Sequence, residues 1–439
     1  MLALLLTVSS ASATELVWQG YYRGRALLYD SLSLSDTNPS AEGTSNLVDH
    51  RLLLRPSWMI SDHAAIHAEV DVMKLTLWGD VPDQYVDPVT GETLPVAQAD
   101  GVSNVAVGTG VRGWGEAYTD WGRIALGRMP MQWGSGILWN SGNAVDGEYG
   151  DSADRLQLSG RIGPVFVMGA FDVQYEGYVG ATDDMQSVSL AVGYRSETLG
   201  VGLLNNYRYR PEEPDPYQAY TGSLWGFAEL GPVRAELEGV GVFGGGDLDG
   251  GQDDVTIMAF GLMAKADYTA DKLSFGGEFG VATGDDDPSD KELTTFSFDR
   301  DHNVGLMLFE EPMPTLQAAS SNESNGGRTT DAARSGDAIS NAIYFRPSVR
   351  YKIIPTVEVE GAWLVAARAD STGATEADQG YGNEFDVSVR WDPHPHVWFK
   401  GTAGVFLPGP LYTEYTDADL GGEFDNPAVG GRILGVVEF

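Results

Sequence analysis

The sequence predicts an all-β protein, a single transmembrane antiparallel β-barrel of about 18 strands. Three observations carry this. From residue 15 onward, segments of about ten residues alternate apolar and polar positions, the period of a strand with one apolar face. Their polar faces hold long ionic side chains of both signs, which suits an enclosed aqueous interior better than the solvated face of a soluble sandwich or propeller. The connections alternate between short turns and long polar stretches. Composition agrees. The chain has 439 residues, 42% of them hydrophobic, but no apolar run near the roughly 18 residues of a membrane helix. Its 19 Tyr, 16 Phe and 11 Trp exclude a disordered chain, and the absence of Cys excludes disulfides and thiolate sites. With 27 basic against 63 acidic residues the net charge is −36, which repels phosphate backbones and excludes nucleic acid as a partner.

Taken in order, residues 1–13 read as a signal peptide, with Leu2 to Val8 as its apolar core and Ala11-Ser12-Ala13 as a small-x-small cleavage site. It is atypical, since no Lys or Arg precedes the core. Residues 14–439 are the barrel, with the first strand beginning near Glu15 and the last ending at Phe439. An even number of strands puts both termini on one side. Alternation is clear in Val165 to Tyr175, Val233 to Phe243 and Val357 to Val365. In residues 155–162, Arg155, Gln157, Ser159 and Arg161 oppose Leu156, Leu158 and Ile162. In residues 342–352, Ile343, Phe345, Val349 and Tyr351 oppose Tyr344, Arg346, Ser348, Arg350 and Lys352. Short turns fall at Ser61-Asp62-His63, Trp121-Gly122, Gly163-Pro164, Glu197-Thr198, Gly231-Pro232, Ala270-Asp271, Pro355 and Pro393-His394-Pro395. Long connections fall at 31–46, 79–108, 131–152, 245–254, 285–337, 369–382 and 407–426.

The ionic faces give the expected pore lining. Its cations are Arg23, Arg25, Arg51, Arg55, Arg155, Arg161, Arg346, Arg350 and Arg390. Its acids are Glu69, Asp71, Glu116, Glu236, Glu238, Glu358, Glu360, Glu384 and Asp386. Trp18, Tyr22, Tyr118, Trp121, Tyr194, Tyr207, Tyr268, Tyr351, Trp391, Trp398 and Phe439 fall near strand ends, where two aromatic girdles belong.

The final stretch from Gly430 to Phe439 ends in an aromatic residue preceded by alternating apolar positions. With Ile433, Val437 and Phe439 as the assembly signal, it resembles the C-terminal strand of bacterial outer-membrane proteins. Gly435 stands where a bulkier residue is usual. In plan the chain is similar to porins and to the 18-stranded alginate-export type of barrel. The stretch from Gly122 to Leu158, reading GRIALGRMPMQWGSGILWN and then YGDSADRLQL, resembles uncharacterised myxobacterial outer-membrane barrels. These resemblances imply the outer membrane of a Gram-negative bacterium, short periplasmic turns and long extracellular loops. They also imply lipid, lipopolysaccharide and the barrel assembly machinery as partners, with a homo-oligomer or a periplasmic partner beyond them. Alginate is not carried over, because alginate exporters are associated with a cationic lumen and this chain is acidic.

No catalytic set is evident. The six His are His50, His63, His67, His302, His394 and His396. His67, Glu69 and Asp71 share a strand face and read as a polar lumen row rather than a metal or acid–base site. His394 and His396 lack a third ligand. Asp247, Asp249, Asp253 and Asp254, and Asp285, Asp286, Asp287 and Asp290, are acidic loops where calcium would be the candidate ion, but neither follows the calcium-loop pattern. The expected function is a porin-like channel for passive diffusion of small hydrophilic solutes. The alternative is the barrel component of an exopolysaccharide secretion or motility complex. In the longest connection, 285–337, Val304, Leu306, Met307, Leu308 and Phe309 form an apolar patch that does not belong in water. It either folds into the barrel mouth as a constriction or docks on a partner or neighbouring subunit, hinged by Ser320 to Gly327. The inward fold is expected, since about 18 strands otherwise enclose a wide channel.

Overall fold

Period-two alternation over long segments, punctuated by turn residues, builds one closed antiparallel barrel of 18 strands. The computed structural model describes residues 14–32, 34, 44–78, 85–86, 93–94, 109–175, 185–210, 216–248, 252–285, 290–311, 338–370, 380–413 and 424–439. The signal-peptide expectation for residues 1–13, the hinge at 320–327, and Asp249, Asp286 and Asp287 lie outside them. The barrel strands are β1 (Glu15–Asp30), β2 (Thr44–Ser61), β3 (Ala64–Leu77), β4 (Thr109–Thr119), β5 (Gly122–Pro130), β6 (Ser152–Ile162), β7 (Val165–Tyr175), β8 (Met185–Arg195) and β9 (Leu199–Arg210). They continue with β10 (Tyr217–Leu230), β11 (Val233–Leu248), β12 (Gln252–Ala270), β13 (Leu273–Ala282), β14 (Ala342–Ile354), β15 (Val357–Ala367), β16 (Gly380–His394), β17 (Val397–Pro408) and β18 (Ala428–Glu438). Each pairs with its neighbour in sequence.

Closure comes from β1 on β18, in register from Tyr21 opposite Glu438 to Asp30 opposite Val429. Beyond that ladder Gly20 and Phe439 exchange two backbone hydrogen bonds of 3.0 and 3.1 Å, so neither end strand leaves an open edge. One end of the barrel has turns of two or three residues, among them Asp62–His63, Gly163–Pro164 and Gly231–Pro232. Gly163 and Gly231 adopt φ of 60° and 64°, a left-handed conformation that glycine alone reaches without steric cost. All longer connections gather at the other end. Helix is confined, among the described residues, to short segments such as Pro410–Thr413, and no described helix is long and apolar enough to cross a membrane.

The outer wall is apolar. Leu156, Leu158, Val188, Leu190, Leu203, Phe275, Phe345, Val349, Val387 and Ile433 are all exposed on it, the inverse of a soluble fold and the signature of a wall solvated by lipid. Most of the expected girdle aromatics stand on this surface: Trp18, Trp121, Tyr194, Tyr207, Tyr268, Tyr351, Trp391 and Phe439 are exposed. Two do not belong to it. Trp398 is buried and donates from Nε1 to Glu438 at 2.7 Å, and Tyr118 donates its hydroxyl to Glu116. Both lie at inward positions of their strands, where an even residue offset from a lumenal neighbour fixes the face whatever the depth.

Candidate functional site

An 18-strand wall encloses more space than its own side chains fill, and two connections enter it. The first is 131–151, between β5 and β6. The sequence places it among the outer loops, and the structure corrects this: Met131, Trp133, Ile137 and Trp139 are buried inside the barrel. Trp133 packs with Trp225, Phe227, Leu204 and Ala191 on the inward faces of β8 to β10, and its Nε1 donates to Ser223 Oγ at 2.9 Å. The physical reason is the one that applies to 304–309, since Trp, Ile, Leu and Trp in seven consecutive positions cannot stay in water. The second segment is 290–311, from the 285–337 connection. Glu292–Leu293 lies parallel to Thr256–Ile257 of β12. Val304, Leu306, Met307, Leu308 and Phe309 are buried together with Leu27, Tyr29, Val240, Tyr344, Leu364 and Phe406 of the wall.

Backbone placed in a lumen needs hydrogen-bond partners that water no longer supplies, and the ionic wall supplies them. Carboxylates take the amides. Glu384, fully buried, accepts from the backbone N–H of Leu306, Met307 and Leu308. Glu238, also fully buried, accepts from Ser135 N at 2.7 Å. Gly134 lies so close that a Cβ there would meet Glu238 Oε2 at 2.6 Å, and its φ is +51°. Guanidinium groups take the carbonyls. Arg23 donates to Val145 O at 2.9 Å, Arg51 to Gly147 O, and Arg112 to Ser141 O at 2.8 Å and Asp151 O at 3.1 Å. Tyr21 adds a bond to Ala144 O at 3.2 Å.

The same cations pair along the wall. Arg23 and Arg25 share Asp49, and both reach Glu148 of the first inserted segment. Arg51 grips Asp71 with two bonds of 2.7 and 2.8 Å, Arg112 pairs with Glu69 at 2.5 Å, and Arg155 grips Asp172 at 2.5 and 2.8 Å. Arg346 meets Glu360 at 2.8 Å and Arg350 meets Asp267. Glu116 holds Arg123 and lies 3.6 Å from His67, whose ring stacks on Trp114.

Among the expected pore residues, Arg23, Arg51, Glu69, Asp71, Glu116, Arg155, Glu238, Glu384 and Asp386 are buried. Arg25, Arg55, Glu236, Arg346, Arg350, Glu358, Glu360 and Arg390 are half-buried, and Arg161 is exposed at the short-turn rim. Ile433, Val437 and Phe439 of the assembly signal face outward and are exposed. Sequence reasoning missed Asp49, Arg112, Asp172 and Glu278. Each lies an even number of positions from a residue it did find on the same wall, or directly opposite one in the ladder, so parity alone would have caught them. It also missed Glu148, Asp151, Asp299 and Asp301 of the inserted segments, for which no local signal exists.

The two segments meet. Asp301 accepts from Glu148 N at 2.6 Å and Tyr149 N at 2.9 Å, Asp299 N donates to Ile137 O at 2.9 Å, and Arg300 lies 3.6 Å above the Tyr149 ring. Burial, with Asp151 alongside, pushes Asp299 up to about 8, and burial raises Asp151 and Asp301 as well. Burial likewise holds Glu310 well above the carboxylate range. Glu311, raised by burial too, accepts from Tyr29 Oη at 2.6 Å.

No protein-family model matches the chain, and no curated protein matches it in sequence. Solved structures do match in fold. The chain superposes on a BenF-like porin from Pseudomonas fluorescens Pf-5 with a TM-score of 0.54 at 12% identity, covering 96% of this chain and 98% of that one. OpdL of Pseudomonas aeruginosa gives 0.54 at 11% identity over 97% and 99% of the two chains. OccK2 (OpdF) of the same organism, crystallised in complex with glucuronate, gives 0.53 at 10% identity over 97% and 96%. At these identities the likeness is one of architecture.

Proposed function

We propose that the chain is an outer-membrane porin-like channel for passive diffusion of small hydrophilic solutes. One observation carries the reading: a closed barrel with a lipid-type outer wall has a charged inner wall and two segments inserted into its lumen. A barrel built only as a membrane anchor has no need of buried carboxylates that hold loops inside it. The shared architecture with a BenF-like porin supports the reading. In this reading the short-turn end faces the periplasm and the long connections face outward. Solutes pass the residual space beside the inserted segments, filtered by the transverse field of opposed ionic rows. The pore-lining role of the wall residues, the constricting role of Val304 to Phe309 and the assembly role of the C-terminal strand belong to the same proposal. Lipopolysaccharide and the assembly machinery are its partners, and the activity is transport without catalysis. On the stretch from Gly122 to Leu158 we group the chain with myxobacterial-type barrels. Ion conductance of purified protein in planar bilayers tests the reading. Discrete conductance steps are expected, and a barrel that stays closed under all voltages and salts overturns it.

A further inference from the structure

In a chain of net charge −36, most lumenal cations are closed into ion pairs, from Arg23 and Arg25 of β1 to Arg346 and Arg350 of β14. Lys400 of β17 and Arg432 of β18 are not. Both point inward, at even offsets from the buried Trp398 and Leu434. The ladder sets Lys400 opposite Leu434 and Thr402 opposite Arg432, so the two cations are diagonal neighbours on one wall. Each is half-buried. Among the described residues neither makes an ion pair or a side-chain hydrogen bond, and Arg432 Nε is buried without a partner. Beside them stands Asp146, exposed and likewise without an ion pair. The first inserted segment puts it there: Arg23 holds Val145 O at 2.9 Å, and the Val145 side chain packs on the wall cluster that includes Trp398, Leu434 and Val436. Asp146 therefore acts on Lys400 without closing a contact on it. The other acids nearby are engaged elsewhere. Glu360 of β15 binds Arg346, Asp386 of β16 lies against Gly404, and Glu311 binds Tyr29. Burial raises Glu310 and Glu311, so neither neutralises Arg432 in full.

We propose that Lys400, Arg432 and Asp146 form a recognition site for small zwitterions of the α-amino acid type, with the carboxylate of the solute on the two cations and its ammonium group on Asp146. The chemistry follows from the vacant charges. Two cations side by side on a partly desolvated wall repel each other and lack the partner that would offset their lost hydration. A carboxylate between them relieves both, through charge-assisted hydrogen bonds to a guanidinium and an ammonium group. Asp146 then takes the opposite end of the same molecule. Solutes of net charge fit less well. The connections of the long-loop end are acidic, so a free anion is repelled before it reaches the cations. A free cation passes that end but meets Lys400 and Arg432 beside Asp146. A zwitterion has no net charge for the acidic end to repel, and it alone satisfies both sides of the site.

The inference rests on the channel reading for passage of the solute but not for its binding, so two readouts test it. L-alanine, lactate, L-alaninamide and lactamide share one size and differ in charge: zwitterion, anion, cation and neutral. Saturation-transfer NMR on the barrel in detergent micelles reports binding, and uptake into proteoliposomes reports passage. In the wild type L-alanine is expected to be preferred over the other three in both. Lys400→Gln and Asp146→Asn should each lower that preference by about tenfold, the loss expected for one hydrogen bond to a charged group. Neither side chain has an ion-pair partner to lose among the described residues, and they lie on different elements, so each variant checks the other. Their residual preferences should also diverge, Asp146→Asn toward lactate and Lys400→Gln toward L-alaninamide, which a purely structural effect would not produce. Equal binding of the four solutes by the wild type, or variants that change all four alike, overturns the site. Uptake of all four without preference would then leave the channel reading standing alone. Selective binding by a barrel that passes none of them upholds the site and overturns the channel reading instead.

Discussion

At the scale of single residues the lumen is organised by charges that hold backbone. Glu384 carries three amides of the 304–309 segment. Glu384→Ala leaves buried N–H groups without acceptors at about 1–3 kcal/mol each. The expected result is release of that segment, seen as higher single-channel conductance with an unchanged barrel by circular dichroism. Unchanged conductance would show that the surrounding apolar contacts of Leu306 and Leu308 suffice. Gly134→Ala acts on the other segment, because its methyl would collide with Glu238 and its backbone is left-handed. Local displacement of 131–151 should expose Trp133 to an aqueous quencher such as iodide, and a fluorescence unchanged from wild type would count against this anchor. Parity made the wall side of these contacts legible in the sequence, since Glu238 and Glu384 sit at even offsets from Glu236 and Asp386. Which backbone they hold was not legible, because the amides of Leu306 to Leu308 are more than 75 residues away.

At the scale of elements, each strand has a lipid face and a lumen face, and the two tolerate opposite chemistry. Leu158 and Phe345 are exposed on the outer wall, whereas Gln157 is buried on the inner one. Leu158→Arg or Phe345→Arg should destabilise refolding into lipid by roughly 2–4 kcal/mol near the midplane. Gln157→Arg and Ser348→Arg should do much less, and equal damage in a denaturant titration would contradict the assignment of faces. The inserted segments are elements of another kind, held by side chains instead of a ladder. Deleting Val304 to Phe309 is expected to raise single-channel conductance, the patch being packed inside against Tyr29, Leu364 and Phe406. Lower stability of a folded barrel whose conductance is unchanged would assign it to barrel stability alone.

At the scale of the molecule, charge is partitioned. The nine connections opposite the short turns carry 37 acidic residues against 5 basic ones, so nearly all of the net charge of −36 lies in them, part at the mouth and part on the segments inserted in the lumen. Strands and turns are close to balanced. A negative mouth raises the local concentration of cations ahead of the pore, so reversal potentials under a salt gradient should show cation preference, weakening as ionic strength rises. Clear anion selectivity would mean that Arg residues of the inner wall dominate permeation.

By itself the sequence determined the barrel, the strand count, the two faces of each strand and the acidity of the long connections. All of these follow from period-two alternation and turn chemistry, which are local. Wall ion pairs such as Arg51–Asp71 and Arg155–Asp172 join neighbouring strands 20 and 17 positions apart, within reach of a register argument. Only the tertiary structure decided that 131–151 enters the lumen, and that it meets 290–311 at Asp299 and Asp301. Contacts such as Ser135 to Glu238 and Glu148 to Asp301 span 103 and 153 positions. A loop has no repeating face to reveal its direction, and its place is set by whichever distant carboxylate or guanidinium can satisfy its backbone once water is excluded.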